Sequence, residues 1–261
     1  MLRYSYLIVE GPHDAEFVGR FLKLAGISAI ENISKLDSFW KRLVPTEFPH
    51  GGHLLDRVPV PFFFSGKSHS VAISTARSDS RIAKTLQETL AVVEWEVDEL
   101  EGLGIILDAD KQIPMQRFQN IRNEIQKKVE KFMLPNLPGQ VDTKTSPTSG
   151  IFILPDNNTP GTLEDLLIQC SEVSYPRLLA AADVFINEIE SEMVTYISDE
   201  KRDFLSPSGV NKATVGSVAN VLKPGKSIQV SIHDNRWVTA ETLMVPEIYD
   251  FNNFIRCLLN I

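Results

Sequence analysis

Cysteine is scarce in this chain of 261 residues, and no apolar run approaches the length of a membrane span. The two cysteines, Cys170 and Cys257, lie far apart in apolar helical patterns, whereas a disulfide framework normally has more cysteines at shorter spacing. A spanning helix needs roughly 20 apolar residues, and the first residues enter a strand pattern instead of a signal peptide. These absences predict a soluble protein of the reducing cytoplasm with no membrane anchor.

Basic residues are also in deficit, with 26 Lys and Arg against 34 Asp and Glu and a net charge of -8. This balance argues against tight, metal-free, nonspecific binding to a phosphate backbone. It does not exclude a nuclease, because bound divalent cations offset clustered acids. With 43% hydrophobic residues, the chain can bury a substantial core, either as one large domain or as two small ones.

Apolar strand patterns alternate with amphipathic helical patterns along the chain. Because such alternation is typical of a parallel sheet covered by helices, we predict an α/β fold with a mainly parallel sheet and helices on both faces. Predicted strands cover residues 4–9, 27–33, 58–64, 103–107 and 151–154. Predicted helices cover residues 14–24, 78–101, 114–132, 175–196, 210–222 and 251–259, and a further helix begins after a Thr162 cap.

The predicted organisation has three parts. Residues 1–135 form the core, with an insertion at about residues 34–78 that contains several prolines and glycines. Residues 136–150, rich in Pro, Gly, Ser and Thr, form a loop. Residues 151–261 complete the sheet and add a helical C-terminal extension.

Acidic residues follow two of the apolar strands. Glu10 comes directly after the first strand, and Asp108 and Asp110 come after the strand at residues 103–107. In parallel sheets, ligands bind at the carboxyl ends of the strands, and Mg²⁺ prefers oxygen ligands. The pattern therefore predicts a magnesium site, although Glu-Gly-Pro can also be a polar turn and Asp-x-Asp occurs in other magnesium proteins.

Two motifs resemble the Toprim domain. They are Val9-Glu10-Gly11 followed by Asp14 and Phe17, and Asp108-x-Asp110 after an apolar strand. This fold is shared by topoisomerases, bacterial primases, recombination-mediator proteins and the nuclease domain of overcoming-lysogenization-defect (OLD) family proteins. The resemblance covers residues 4–134 and is closest to small stand-alone Toprim-like proteins and the OLD nucleases. The stretch between Glu10 and Asp108 is longer than in compact Toprim cores.

The resemblance implies a set of metal ligands. Asp108 and Asp110 would bind Mg²⁺ or Mn²⁺, and Glu10 would be a further ligand or a general acid/base. If Asp14 and Glu164 also converge, a two-metal site becomes available for phosphodiester cleavage. Asp14 and Glu164 have an alternative interpretation, because acids are favoured near a helix start.

The resemblance also extends to residue 222 if Glu164 and Lys212 stand for the later acid and lysine motifs of the OLD-like nucleases. Lys212 would then place positive charge on the transition state, although an exposed helix lysine is the ordinary case. The implied function is a divalent-metal-dependent nuclease acting on DNA or RNA, in the context of phage defence. A homodimer or a partner defence subunit is compatible with that context.

Two other functions remain open. The first is a Toprim-like regulatory subunit that binds metal or nucleic acid without chemistry, which the acidic balance favours. The second is primer synthesis, but no zinc ribbon or helicase-like segment accompanies the core.

Other motifs fit a functional site less well. Residues 65–68 read Ser-Gly-Lys-Ser, but Pro61 stands where a phosphate-binding P-loop requires its first glycine. His13, in the turn after Glu10, could meet a phosphate or water. The phenylalanines at positions 62–64 favour a sheet core over a base-stacking surface. Three residues at metal-ligand spacing are typical of a solvated loop instead: His50, His53 and Asp56.

Overall fold

A seven-stranded sheet forms the centre of the protein in the computed structural model, which describes residues 2–46, 60–76, 81–93 and 100–261. The strands are β1 (Arg3–Val9), β2 (Ser28–Ala29), β3 (Phe62–Ser65), β4 (His69–Thr75), β5 (Leu100–Asp108), β6 (Val141–Asp142) and β7 (Thr148–Leu154). The sheet order is β2-β3-β4-β1-β5-β7-β6. Strands β4, β1, β5 and β7 run parallel, whereas β2, β3 and β6 pair antiparallel towards the two edges.

Helices cover both faces of this sheet, and the fold class predicted from the sequence is confirmed. The helices are α1 (Pro12–Leu24), α2 (Ser38–Lys41), α3 (Ile82–Val93), α4 (Pro114–Lys128), α5 (Leu163–Ser174), α6 (Pro176–Glu192), α7 (Ser198–Lys201), α8 (Gly209–Leu222), α9 (Ile228–Asp234) and α10 (Pro246–Leu259).

The central strand β1 shows how the two layers form. Successive side chains of a strand point to opposite faces. Leu7 and Val9 join a core with α1, α5, α8 and α10, whereas Tyr6 and Ile8 join a second core with α2, α3 and α4. Because both faces are buried, β1 has a continuous apolar run, as is usual for the central strand of a parallel sheet.

The C-terminal helix α10 packs directly on the sheet. A Cβ atom added to Gly150 of β7 would lie 2.6 Å from the ring of Phe254, so only glycine permits this close approach. Phe251 of α10 also contacts Phe17 of α1 and Phe152 of β7, with ring centroids 5.4 and 5.0 Å apart. The helical C-terminal region therefore shares one core with the first strands of the chain.

The structure changes several predicted boundaries. Residues 69–75, within the predicted insertion, form β4, which pairs in parallel with β1 along its whole length. The predicted loop at residues 136–150 contains β6 and the first residues of β7. The predicted strand at residues 27–33 reduces to β2. The predictions for His50, His53 and Asp56 lie outside the described residues.

The remaining observations concern cysteines, the P-loop-like motif and membrane spans. Cys170 is buried and Cys257 is exposed, and both are free thiols. Residues 65–68 form the turn between β3 and β4, where Gly66 N donates to the carbonyl of His69 at 2.9 Å. Within the described ranges, no helix has both the length and the apolar character that crossing a bilayer requires.

Candidate metal centre

Glu10 and Asp108 meet at the carboxyl ends of two neighbouring strands. Strands β1 and β5 are parallel and pair up to Val9 and Ile106, so the residues that follow lie at the same edge of the sheet. The amide of Asp108 donates a hydrogen bond of 3.1 Å to Glu10 Oε1. The juxtaposition inferred from strand direction is thus a direct contact.

Arg117 completes this contact, and sequence reasoning did not find it. Its Nη2 lies 3.0 Å from Glu10 Oε1, and its Nε donates to the carbonyl of Asp108 at 3.0 Å. The side chain is buried, with a residue exposure of 6%. A signal was available, because Arg117 shares the apolar face of α4 with Phe118 and Ile121. A charged residue on a buried helix face requires a partner.

Asp14 has a structural role and also lies at the site. It is the third residue of α1, and its Oδ2 accepts a 2.7 Å hydrogen bond from the amide of Gly11, the N-cap residue. This is the helix-start role weighed from the sequence. Asp14 nevertheless faces the same cavity as Glu10 and Asp108, so the two interpretations are compatible.

Helix α5 brings Glu164 to the site. Thr162 is the N-cap, as predicted, and its amide donates to Asp165 Oδ2 at 2.7 Å. The capping acid is therefore Asp165, whereas the neighbouring Glu164 is buried at 7% exposure and faces the cavity. The amide of Leu163, at the helix N-terminus, donates to Asp108 Oδ1 at 2.9 Å.

One cavity of about 220 Å³ unites these groups. Because α1 and α5 both begin at its wall, the positive ends of two helix dipoles lie beside it. The exposed Lys212, from α8, adds a positive side chain. The structure thus brings five of the six residues singled out from the sequence to one cavity. Its lining residues are Glu10, Gly11, Pro12, His13, Asp14, Asp108, Leu163, Glu164 and Lys212.

Asp110 is the sixth residue, and it lines a neighbouring cavity instead. In a continuing strand, Asp108 and Asp110 would point to the same face. Asp110, however, has a left-handed backbone with φ of 53°, and its amide bonds to the carbonyl of Gly161 at 2.8 Å. The strand geometry has ended at this residue, so the alternation that placed the two acids together no longer applies.

Burial dominates the electrostatics of the cavity. It raises the pKa of Asp14 to about 7 against the hydrogen bond from Gly11, and the nearby Glu10 and Glu164 raise it further. Burial also raises the pKa of Asp108 well above its usual range, with added repulsion from Asp14 and Glu10. The pKa of Glu10 is raised by burial although the Arg117 guanidinium opposes this. The pKa of His13 is lowered, mainly by burial, which favours a neutral imidazole.

The donor set suits a hard divalent cation. Among the described residues, the side-chain hydrogen bonds to Glu10, Asp14 and Asp108 each go to one oxygen of the carboxylate, so the second oxygen is available to a ligand. In this conformation, no three His, Cys, Asp or Glu side chains of the described residues are grouped as metal ligands. Side-chain movements are therefore needed to bring the oxygens onto one ion. A cation would offset the repulsion that raises these pKa values.

The metal-free protein is expected to lose stability as the pH rises from about 4 to about 7. Because the pKa of Asp14 is raised from 3.8 to about 7, its stabilising contribution is fully present below the lower value and is lost as the pH passes the higher one. The loss from Asp14 is at most about 4 kcal/mol in the free energy of unfolding. Urea unfolding in EDTA between pH 4.5 and 8 measures it.

The control for this pH dependence compares two substitutions. Asp14→Asn removes the titrating group and should flatten the pH profile, whereas Asp183→Asn, on the exposed surface of α6, should leave it unchanged. Equal profiles for the wild type and Asp14→Asn would show that Asp14 does not titrate as inferred.

The fold and cavity define an α/β protein with a mixed sheet, parallel in its core, and an acidic cleft at the carboxyl ends of the parallel strands. The chain belongs to the family described as "Protein of unknown function (DUF3226)", which matches residues 4–260. It is similar in fold to a crystal structure of the hypothetical protein PH0156 from Pyrococcus horikoshii OT3, with 18% identity, a TM-score of 0.55, and coverage of 97% of this chain and 99% of that chain. The search of curated proteins found no match.

Proposed function

We propose that the protein is a Mg²⁺- or Mn²⁺-dependent nuclease of the Toprim type that cleaves phosphodiester bonds in DNA or RNA. The observation that carries this proposal is the single cavity that collects Glu10, Asp14, Asp108, Glu164 and Lys212 at the carboxyl edge of the sheet. Carboxylate ligands beside the positive Lys212 side chain and two helix N-termini suit a site that binds both a metal ion and a phosphate.

The acidic side chains would hold the cation. Asp14 and Asp108 would be the central ligands, because Asp14 is buried, Asp108 is partly buried, and each has one oxygen fixed by a backbone amide. Glu164, on α5, lines the same cavity and would add a further carboxylate. A bound divalent cation activates water and stabilises the leaving oxygen in phosphodiester hydrolysis.

Positive groups of the chain would act on the phosphate. Lys212 and the N-termini of α1 and α5 place positive charge on the cavity wall, where it stabilises negative charge on a pentacovalent phosphorus. His13, whose pKa is lowered by burial, is a neutral hydrogen-bonding group at the same wall.

Glu10 is held in one orientation by Arg117 and by the amide of Asp108. Both contacts use Oε1, so Oε2 is the oxygen that would bind the cation or accept a proton from water. A pKa raised by burial suits proton transfer near neutral pH. Asp110, which lines the neighbouring cavity, repels the charged forms of Glu10 and Asp108, and this repulsion adds to the rise in their pKa values that burial causes.

The test is metal-dependent cleavage. Plasmid, single-stranded DNA and structured RNA are incubated with the wild type, Asp108→Ala and the surface control Asp183→Ala in Mg²⁺ or Mn²⁺. We expect the wild type and the control to cleave at least one substrate and Asp108→Ala to lose at least about 10- to 100-fold in rate, which is the usual loss even for a group that only supports a metal ligand. No cleavage by the wild type, or equal cleavage by Asp108→Ala, contradicts the proposal.

A second function, binding without chemistry, is favoured by the Glu10–Arg117 contact. In the observed conformation, Arg117 is paired with Glu10 Oε1, so this oxygen is not available to a metal ion. A binding module would be stabilised by Mn²⁺ and would bind nucleic acid, but it would turn over no substrate. The cleavage assay and a metal titration of thermal stability on the same samples separate the two functions.

A further inference from the structure

A second cavity, of about 560 Å³, lies beside the cavity that is lined by Glu10, Asp14, Asp108, Glu164 and Lys212. We call the cavity with these acids the acidic cavity. The volume of the second cavity falls within the range of roughly 300–1,000 Å³ that is usual for small-molecule sites, whereas the acidic cavity, at about 220 Å³, does not reach that range. The acidic cavity therefore has room for a cation and a phosphate, and the second cavity has room for a larger group. We call the second one the side cavity; Asp110, Gln112, Pro160, Thr162, Pro207 and Asn211 are among its lining residues.

The two cavities share walls at three separate elements. At the end of β5, Asp108 lines the acidic cavity, and Asp110, two residues later, lines the side cavity. At the start of α5, Leu163 lines the acidic cavity and Thr162 lines the side cavity.

Helix α8 repeats the arrangement, with Lys212 on the acidic cavity and Asn211 on the side cavity. At each element, the two lining residues are one or two positions apart in the sequence. The two cavities are therefore neighbours along all three elements.

The side cavity has a different chemistry from the acidic one. Pro160 and Pro207 provide flat apolar surfaces, and Gln112 contributes an amide that forms no side-chain hydrogen bond within the described part of the chain. The carboxylate of Asp165 is already bonded, since Oδ2 accepts from the Thr162 amide at 2.7 Å and Oδ1 accepts from Asn211 Nδ2 at 2.8 Å. Both of its oxygens thus serve the fold.

We infer that the side cavity binds the sugar and base of the nucleotide whose phosphate enters the acidic cavity. This inference rests on the proposed function and deepens it by naming the substrate class. A base stacked inside a duplex cannot enter a cavity in the protein unless it is unpaired and turned out. The preferred substrate is therefore a single strand, or an unpaired nucleotide at an end or loop.

Mononucleotide binding tests the inference without requiring cleavage. The wild type, Ser208→Phe and Ser191→Phe are titrated by calorimetry with each 5′-mononucleotide and with ribose 5-phosphate, in the presence of Mn²⁺. Ser208 lines the side cavity at the start of α8, so a phenylalanine there fills part of the cavity. Ser191 is exposed near the end of α6 and provides the same substitution away from the site.

We expect the wild type and Ser191→Phe to bind at least one mononucleotide about tenfold more tightly than ribose 5-phosphate, a difference of about 1.4 kcal/mol. Ser208→Phe should lose that difference while its stabilisation by Mn²⁺ alone stays unchanged. Equal affinity for mononucleotide and ribose 5-phosphate in the wild type, no binding of either, or unchanged mononucleotide binding by Ser208→Phe overturns the inference.

Cleavage assays separate this inference from the proposed function. If the protein is a nuclease without a base site, it cleaves polymers but fails the mononucleotide test. If it has the base site without catalysis, it passes that test and cleaves nothing. If both hold, single strands are cleaved at least about tenfold faster than the matching duplex, and Ser208→Phe removes this preference. Equal rates on single strand and duplex also overturn the inference.

Discussion

Replacement of Arg117 by methionine is expected to lower the free energy of unfolding by up to about 3–5 kcal/mol, the usual effect of removing one partner of a fully buried ion pair, since Arg117 is buried and Glu10 is partly buried. Arg117 is buried, and its guanidinium contacts Glu10 Oε1 and the carbonyl of Asp108. Methionine retains much of the apolar part of the arginine side chain. The Glu10 carboxylate then lies near the other acids without the Arg117 guanidinium. Urea unfolding in EDTA at pH 7 measures the change.

Two further variants make the Arg117 prediction specific. Arg177→Met, on the exposed surface of α6, should change the free energy of unfolding by less than about 0.5 kcal/mol. The double variant Glu10→Gln/Arg117→Met should be less destabilised than the sum of its single changes, because the two side chains interact directly. An effect of Arg117→Met below about 1 kcal/mol would mean that solvent already screens the pair.

Replacement of Asp108 by asparagine is expected to affect the metal-free and metal-bound proteins in opposite directions. Asparagine keeps an oxygen that can accept from the Leu163 amide, but it removes a charge from a cluster that burial and repulsion already disfavour. In EDTA at pH 8, the variant should therefore be more stable than the wild type, by on the order of 1–2 kcal/mol. In saturating Mn²⁺ this order should reverse.

Metal titration gives the second half of the Asp108 prediction. A cation at about a hundred times its dissociation constant stabilises a protein by about 2.7 kcal/mol. We expect roughly that gain for the wild type and for the surface control Asp183→Asn, and less than about 0.5 kcal/mol for Asp108→Asn. Equal gains for the wild type and Asp108→Asn would place the ion elsewhere.

The strands that carry the site could be predicted from the sequence, whereas the strand beside them could not. Strands β1 and β5 have uninterrupted apolar runs that end in acids. Strand β4 begins with His69 and Ser70, which are buried although polar, and its pattern therefore resembles a loop. The hydroxyl of Ser70 accepts a 2.9 Å hydrogen bond from Trp40 Nε1, a contact between residues 30 apart that no local pattern reveals.

The candidate site divides in the same way. The acids at strand ends and the helix starts were predictable because their determinants are local: Asp14 bonds Gly11 and Asp165 bonds Thr162, each three residues away. In a regular strand, Asp108 and Asp110 would lie on the same face, because strands alternate with a period of two. The left-handed backbone at Asp110 breaks that period, and its bond to Gly161 comes from another part of the chain.

The positions of Glu10 and Asp108 at the ends of apolar strand patterns are visible in the sequence, because hydrophobic patterning and turn residues act over a few positions. Their surroundings depend on contacts between distant segments, such as Arg117 with Glu10, 107 residues apart, and Leu163 with Asp108, 55 residues apart. Such contacts form only when α4 and α5 pack on opposite faces of the sheet and direct their first turns to one edge. Local sequence thus specifies which carboxylates reach that edge, and the packing of the helices decides which of them share a cavity.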